Sequence, residues 1–195
     1  MMYRAIGLVL ALAPALALNI LSLASAVAAT TTEAPPPIAA QGTLQPLFAP
    51  WDNIEAEIIE VVDGARQQVL VQAYLLTSKK IATTLLAAHR RGVDVKVLVD
   101  ANQLERVDSS VAPKLAAGGI PVWLETKYQN AHNKVMVVDA ASPKAVVITG
   151  SFNFTWTAQH KNAENLLISR NNPALAARYA SNWERHKSEA TPYKK

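Results

Sequence analysis

The sequence predicts an α/β fold whose mixed β-sheet is flanked by helices on both faces. Residues 68–100 alternate between an apolar strand, an amphipathic helix and a second apolar strand, which is typical of a βαβ unit with parallel strands. Residues 134–169 instead hold short apolar segments joined by short turns, which is typical of antiparallel strands. A sheet that combines both kinds of pairing is mixed.

The individual elements follow from hydrophobic periodicity and from helix start and stop signals. The strand at 68–74 should be buried on both faces, because Val69, Leu70 and Val71 are consecutive apolar residues. The helix at 78–91 should end at Gly92, since glycine commonly follows the last turn of a helix. The other predicted elements, in chain order, are a strand at 44–49, a helix that opens at Pro50 and Asp52, a strand at 93–100, a helix at 109–117, a strand at 120–125, strands at 134–139, 145–149 and 165–169, and a helix that begins at Pro173.

Residues 1–29 have the features of a bacterial signal peptide: Arg4, then an apolar run, then small residues at 24–28 that offer cleavage sites. Cleavage would make the protein periplasmic or secreted. The alternative is a retained membrane anchor, since the run approaches the roughly 20 residues that span a bilayer. Residues 30–42, which include three consecutive prolines, are predicted to form a flexible linker, and 43–190 a single domain.

The composition sets further limits. The chain has no cysteine, which excludes disulfides, cysteine zinc sites and a thiol nucleophile. The formal net charge is +4, and removal of the signal would take away one positive charge, Arg4. This mild excess fits an anionic substrate without requiring one.

The strongest functional signal is His132-Asn133-Lys134 followed by Asp139. If this stretch is a strand, alternation places His132 and Lys134 on one face and Asp139 on the other. A neutral imidazole can attack phosphorus and form a covalent phospho-intermediate, so His132 is the predicted nucleophile. Lys134 would stabilise negative charge on the phosphate oxygens, and Asp139 would support the site rather than react.

A second signal, residues 150–153, follows closely. Asn153 would donate amide hydrogens to the phosphate, Ser151 would add a hydroxyl or hold the loop through a neighbouring group, and Gly150 would support the loop. A simple polar turn is the alternative. Glu164 would accept a hydrogen bond from the other ring nitrogen of His132 and so fix its tautomer, or would be a solvated carboxylate at a strand edge.

Aromatic and basic residues near these motifs are candidate nucleic-acid contacts. Phe154 and Trp156 could stack on unpaired bases, although such residues more often belong to a core. Lys127 and Lys161 lie close enough in sequence to contact a phosphate backbone.

These residues resemble the signature of the phospholipase D superfamily, His-x-Lys-x4-Asp followed by Gly-Ser-x-Asn, and in particular its short, exported bacterial endonucleases. The resemblance extends from residue 43 to about 187 and includes 91–97 and 149–155. It implies a phospholipase D-like catalytic domain and a metal-independent hydrolase that works through a phosphohistidine and needs no cofactor. The implied site residues are His132, Lys134, Ser151, Asn153 and Glu164, with Asp139 structural.

The same resemblance implies a homodimer. In the family a second signature histidine protonates the leaving oxygen, and this chain has one signature only. A two-fold axis that brings two His132 residues together would supply both the nucleophile and the acid.

Three functions fit the sequence. The favoured one is a non-specific endonuclease that acts on DNA, with RNA as an open alternative. The second is a phospholipase D acting on phosphatidylcholine-like membrane lipids, although no long apolar insertion near the motif is available to receive acyl chains. The third is a non-catalytic nucleic-acid-binding envelope protein, against which the intact set of polar groups argues. A zinc site is not expected, because His132 and His160 lack paired ligand spacing.

Overall fold

The computed structural model describes residues 34–194 of the 195-residue chain. The signal peptide predicted at 1–29 therefore lies outside the described residues. Residues 34–42, the described part of the predicted linker, contain no helix or strand. No helix within residues 34–194 combines the length and the apolar character that crossing a membrane requires.

Within residues 34–194, regular structure begins at Thr43. The strands are β1 (Thr43–Ala49), β2 (Gln68–Ala73), β3 (Asp94–Asp100), β4 (Val122–Glu125), β5 (Lys134–Val138), β6 (Val146–Gly150), β7 (Glu164–Arg170) and β8 (Thr191–Pro192). The helices are α1 (Ile54–Gly64), α2 (Lys79–Arg90), α3 (Ala101–Arg106), α4 (Ala112–Ala117), α5 (Trp156–His160) and α6 (Pro173–Glu189).

The strands form one eight-stranded sheet in the order β1-β7-β6-β5-β2-β3-β4-β8. β2 is parallel to β3 and β3 is parallel to β4, as the predicted βαβ unit requires. The other neighbouring pairs are antiparallel, including the consecutive strands β5, β6 and β7. The predicted mixed sheet is confirmed.

Helices cover both faces of the sheet, as predicted. On one face, α1, α2 and α4 bury apolar side chains against the odd-numbered positions of β2, such as Val69 and Val71. On the other face, α6 packs Ala176 and Trp183 against Leu70. Because Val69, Leu70 and Val71 are all at most 1% exposed, β2 is the central strand that its apolar run predicts.

The helix starts are explained by side-chain caps, which supply acceptors for the free N–H groups of a first turn. Asn53 caps α1, Ser78 caps α2 and Asn172 caps α6. The helix expected at 109–117 begins only at Ala112. The sequence analysis missed α3, α5 and β8, which have two to six residues each.

Candidate active site

The sequence motifs meet at one edge of the sheet. Strand pairing places Lys134, at the start of β5, beside Ala73 at the end of β2. The end of β6 lies next to the start of β7, where Gly150 pairs with Leu166, and Glu164 pairs with the last residue of β1. Residues that are far apart in sequence therefore share this edge.

His132 lies in the loop that enters β5, because the strand itself begins at Lys134. The imidazole is exposed to solvent on one side. Its other side faces Tyr74, whose ring centroid is 4.4 Å away at an interplanar angle of 55°. The backbone N–H of Tyr74 donates to the carbonyl of Asn133 at 2.8 Å, and Gln103 Nε2 donates to the Tyr74 hydroxyl at 2.8 Å. Tyr74 thus positions the predicted nucleophile.

The loop before His132 is held by Asp100, the last residue of β3. One carboxylate oxygen accepts from the backbone N–H of Ala131 at 2.7 Å, and the other accepts from the backbone N–H of Gln103 at 2.8 Å. Asp100 is 1% exposed, so these bonds are shielded from water. The sequence did not lead us to Tyr74 or Asp100. The available signal was a polar residue at the carboxyl end of each buried strand, directly after β2 for Tyr74 and at the last position of β3 for Asp100.

Lys134 is buried beneath His132. Its Nζ donates to the carbonyl of His132 at 2.7 Å and lies 4.9 Å from the centre of the Tyr74 ring, in the range of a cation–π contact. Burial lowers the pKa of Lys134 from 10.5 to about 8, and the negative charge of Glu164 opposes this shift. Lys134 is therefore a cation near neutral pH, but it loses its proton at a lower pH than an ordinary lysine does.

Glu164 does not contact His132 in the way predicted. Its carboxylate accepts hydrogen bonds from the Ser151 hydroxyl and from Asn162 Nδ2, the latter at 2.8 Å. No hydrogen bond joins His132 to Glu164 within residues 34–194. The expected tautomer-fixing bond is therefore absent from a single copy of the chain. Glu164 is instead a hydrogen-bonded, partly exposed carboxylate at the start of β7, which is close to the alternative of a solvated carboxylate at a strand edge.

Ser151 takes the second of the two roles considered for it, which is to organise the loop. Besides donating to Glu164, its hydroxyl accepts from the backbone N–H of Asn165 at 3.0 Å. Gly150 is required for close packing here, because a Cβ at this position would lie 2.3 Å from the carbonyl oxygen of Asn165. Gly150 thus supports the loop, as expected.

Asn153 carries an unsatisfied polar atom. Its side-chain oxygen is buried and has no hydrogen-bond partner among the described residues. An unpaired buried polar atom costs about 1–3 kcal/mol, so it calls for a functional reason. The NH2 group of the same side chain is not among the buried unpaired atoms, and it is the donor that a phosphate oxygen needs.

Asp139 lies at the opposite end of β5 from His132. Its carboxylate accepts from three consecutive backbone N–H groups, those of Arg66, Gln67 and Gln68, at 2.9, 2.7 and 2.8 Å. The residue has a left-handed backbone, with φ of 51°. These contacts join the end of β5 to the start of β2 and leave Asp139 at the end of the strand opposite His132.

The candidate nucleic-acid contacts divide into two groups. Phe154 is 0% exposed and belongs to the core, so its predicted stacking on bases is wrong. Lys127 pairs with Glu189 at 2.6 Å, which compensates its charge. Trp156 is 57% exposed, and the Nζ of Lys161 lies 5.8 Å from its ring centre. Trp156 and Lys161 therefore stay available for substrate.

Within the described residues, no group of three or more histidines, cysteines or carboxylates is arranged to hold a metal ion. Metal independence stays a prediction.

Comparison with known proteins relates the chain to one family. Residues 58–187 match the family model described as cardiolipin synthase, PLD-like domain. The phospholipase D of Rickettsia typhi is 37% identical over 136 residues, which are 70% of this chain and 64% of that protein. The mitochondrial cardiolipin hydrolase of Xenopus laevis is 30% identical over 141 residues, 72% of this chain and 64% of that protein. The chain thus spans somewhat less than two thirds of the length of these curated relatives.

One solved structure aligns with this chain over nearly the whole of the other protein's length. The crystal structure of a phospholipase D family member, Nuc from Salmonella typhimurium, aligns with a TM-score of 0.72 and 31% sequence identity. The alignment covers 78% of this chain and 99% of that chain.

Proposed function

The chain belongs to the phospholipase D superfamily, and from this membership we propose that it hydrolyses phosphodiester bonds of nucleic acid without base specificity. DNA is the first candidate substrate and RNA the second. The observation that carries the proposal is the meeting of an exposed imidazole, a buried ammonium and an unpaired amide at one edge of the sheet. These groups match the needs of a phosphodiester under attack: a nucleophile, a cation and a neutral donor.

The proposed reaction has two steps. First, a ring nitrogen of His132 attacks phosphorus and forms a P–N bond, while the bond to the leaving oxygen breaks and that oxygen takes a proton from an acid. Then a water molecule gives a proton to the conjugate base of that acid and attacks phosphorus, the P–N bond breaks, and His132 is released as the free imidazole. Neither step requires a metal ion or a cofactor.

Neighbouring side chains have distinct parts in this scheme. Lys134 and Asn153 bind the non-bridging oxygens, on which negative charge grows in the transition state. Tyr74 holds the imidazole from behind. Ser151 positions Glu164, whose charge favours the cationic form of Lys134.

The acid is proposed to be His132 of a second copy. Within the described residues, the other three histidines are engaged elsewhere: His160 contacts Trp156, His186 bonds to Glu125 at 2.6 Å, and His89 lies in the last turn of α2 beside Gly119. A two-fold axis next to the exposed face of His132 would place two such rings on opposite sides of one phosphorus. The homodimer is therefore part of the proposed mechanism.

A lipid substrate is the second candidate, because relatives at 30–37% identity are named phospholipase D and mitochondrial cardiolipin hydrolase. Nucleic acid is favoured because the exposed residues beside the site include Trp156 and Lys161, an aromatic and a cation that fit a base and a phosphate.

The first test is cleavage of plasmid DNA by purified mature protein in excess chelator, beside choline release from phosphatidylcholine vesicles. His132→Ala should abolish nicking. Asn133→Ala is the matched control, because only the backbone carbonyl of Asn133 contacts Tyr74. Choline release without nicking would move the function to lipid. Silence in both assays would favour a non-catalytic nucleic-acid-binding protein, and activity that chelator destroys would contradict the phosphohistidine scheme.

The dimer has its own test, which is subunit mixing. Equal amounts of wild-type and His132→Ala chains, unfolded together and refolded, should give specific activity of about one quarter of wild type, because only one pair in four then holds two His132 residues. A value of about one half would mean that each copy works alone.

A further inference from the structure

Two tryptophans at the active-site edge are left exposed. Trp51, just after β1, is 83% exposed and Trp156, the first residue of α5, is 57% exposed. Other aromatic residues of this region, Phe152 and Phe154, are fully buried. Trp51 and Trp156, with His160 and Lys161, are called here the tryptophan surface.

The indole of Trp156 is held in one orientation. Its ring centroid lies 4.6 Å from that of His160 one turn later, with 39° between the planes, and the ammonium of Lys161 lies 5.8 Å away. The short helix α5 is capped by the Thr155 hydroxyl, which accepts from Ala158 N at 3.0 Å. A side chain fixed in this way loses little entropy when it stacks on a ligand.

Trp51 and Trp156 are joined by Gln159, which is 5% exposed. Gln159 Nε2 donates to the carbonyl of Asp52 at 2.9 Å, and its oxygen accepts from the backbone N–H of Glu55 at 3.0 Å. These two bonds fasten α5 to the segment that carries Trp51. The two indoles are therefore carried by segments that are bonded to each other.

A pocket of about 240 Å³ lies on this surface, between Trp51 and His160. The polar residues that also line this pocket are Asp52, Asn53, Glu55, Lys80 and Gln159. Hydrogen-bond donors and acceptors are thus close to the exposed rings.

The tryptophan surface adjoins the candidate active site through the chain on both sides. Phe154, directly before α5, accepts backbone hydrogen bonds from Thr77 and Ser78 at 3.0 Å, which anchors α5 beside the loop after β2. Asn162, directly after Lys161, donates to Glu164. A polymer held by its phosphate at His132 can therefore extend over this surface.

We propose that the tryptophan surface binds unpaired bases of the substrate strand next to the scissile phosphodiester, and that the protein prefers single-stranded nucleic acid for this reason. This inference rests on the proposed function. Bases stack on exposed aromatic rings, whereas in a duplex they are already stacked on one another. A lipid surface fits less well, because the partly exposed carboxylate of Asp52 and the exposed amide of Asn53 would lose water without gaining partners.

The test is binding of labelled oligothymidylate and of a hairpin duplex by the His132→Ala protein, which cannot cleave either probe. Trp51→Ala and Trp156→Ala should each weaken binding of the single strand by at least about fivefold and leave the duplex almost unchanged. Trp156→Phe, which keeps a ring, should retain most of the affinity. Leu44→Ala is the matched control, since Leu44 is 61% exposed at the opposite end of β1.

Other outcomes would overturn the inference. Equal loss on both probes, or no loss, would remove the preference for unpaired bases. Tryptophan-dependent binding to phosphatidylglycerol vesicles would assign the surface to membranes, and loss of the dimer in sedimentation would assign it to contacts between copies. Tryptophan-dependent binding of single strands by a protein that never cleaves would keep this inference and reject the nuclease.

Discussion

The start and the end of β5 carry the two parts of one sequence motif, and they differ in how their polar groups are satisfied. At the start, His132 is exposed, Lys134 is buried with a lowered pKa, and the nearby amide of Asn153 has an unpaired atom. At the end, Asp139 accepts three backbone hydrogen bonds. At the start of β5, polar groups remain without partners and can bind a ligand. At the end of β5, the polar group is fully used in joining two strands.

This difference shows that proximity in sequence does not imply a shared role. A strand of five residues is long enough to separate chemistry from structural support. Groups that are poorly satisfied in the folded protein reduce its stability and are available to a ligand. Substitutions at the two ends should therefore move activity and stability in different proportions.

Of the substitutions that compare the two ends of β5, Lys134→Met should have the largest effect on activity and little effect on stability. Loss of the cation should lower kcat/KM by about 100- to 1000-fold, the usual result of removing a group that stabilises transition-state charge. Met is similar in length and has no charge to desolvate, so the midpoint of urea unfolding should stay the same or rise. A large fall in that midpoint, with activity per folded molecule preserved, would contradict the division between the two ends.

Asp139→Ala should show the opposite proportions. Loss of an ionised acceptor for three backbone N–H groups should reduce the free energy of unfolding by about 2–4 kcal/mol, less than the sum of three such bonds because two of them are open to water. Activity per folded molecule should change little. Urea unfolding measures the first quantity, and an active-site-titrated assay measures the second.

Asp139→Asn is the control for Asp139→Ala, since an amide oxygen keeps part of the acceptor. It should recover a substantial share of the lost stability. If either substitution reduced activity as strongly as Lys134→Met while the protein stayed folded, Asp139 would have to belong to the reacting site.

Substitutions of Tyr74 should have smaller effects on activity, and they separate the role of its ring from that of its hydroxyl. Tyr74→Leu removes the ring behind His132 and the cation–π contact to Lys134, and should lower kcat about tenfold. Tyr74→Phe keeps the ring and loses the hydrogen bond from Gln103 and the long one to Asn130 at 3.4 Å, so its kcat should stay within about threefold of wild type. Equal losses in both variants would mean that the hydroxyl, and not the ring, positions the nucleophile.

The fold and most of the site could be predicted because both leave strong local signals. Consecutive apolar residues indicate β2, and a histidine paired with a lysine indicates a phosphate site. Tyr74 and Asp100 were missed because their roles depend on which strands become neighbours. The wrong assignment of Phe154 and the absence of the His132–Glu164 bond from a single copy have the same cause, since burial and the partner of a carboxylate are settled by packing and not by spacing in the sequence.

The pH dependence of activity should reflect the titration of one group, Lys134 at the start of β5, and not of Asp139 at its end. Because burial lowers the pKa of Lys134 to about 8, its ammonium should lose the proton as pH rises through that value, and kcat/KM should then fall by about tenfold per pH unit.

The contribution of Lys134 to stability should change in the opposite direction and rise with pH. Between about pH 8 and 10.5 the unfolded chain still holds the proton that folded Lys134 has lost, so the contribution of this group to the free energy of unfolding rises with pH. Alkaline unfolding would instead lower both quantities together.

Lys134→Arg tests this assignment directly, because a guanidinium stays charged throughout the range. Its residual activity should show no alkaline decline near pH 8, whereas Asp139→Asn should keep the wild-type profile. A decline that persists in Lys134→Arg would assign the titration to another group. The cation at the start of β5 would then be a fixed structural charge, and the contrast between the two ends would lie in solvent access alone.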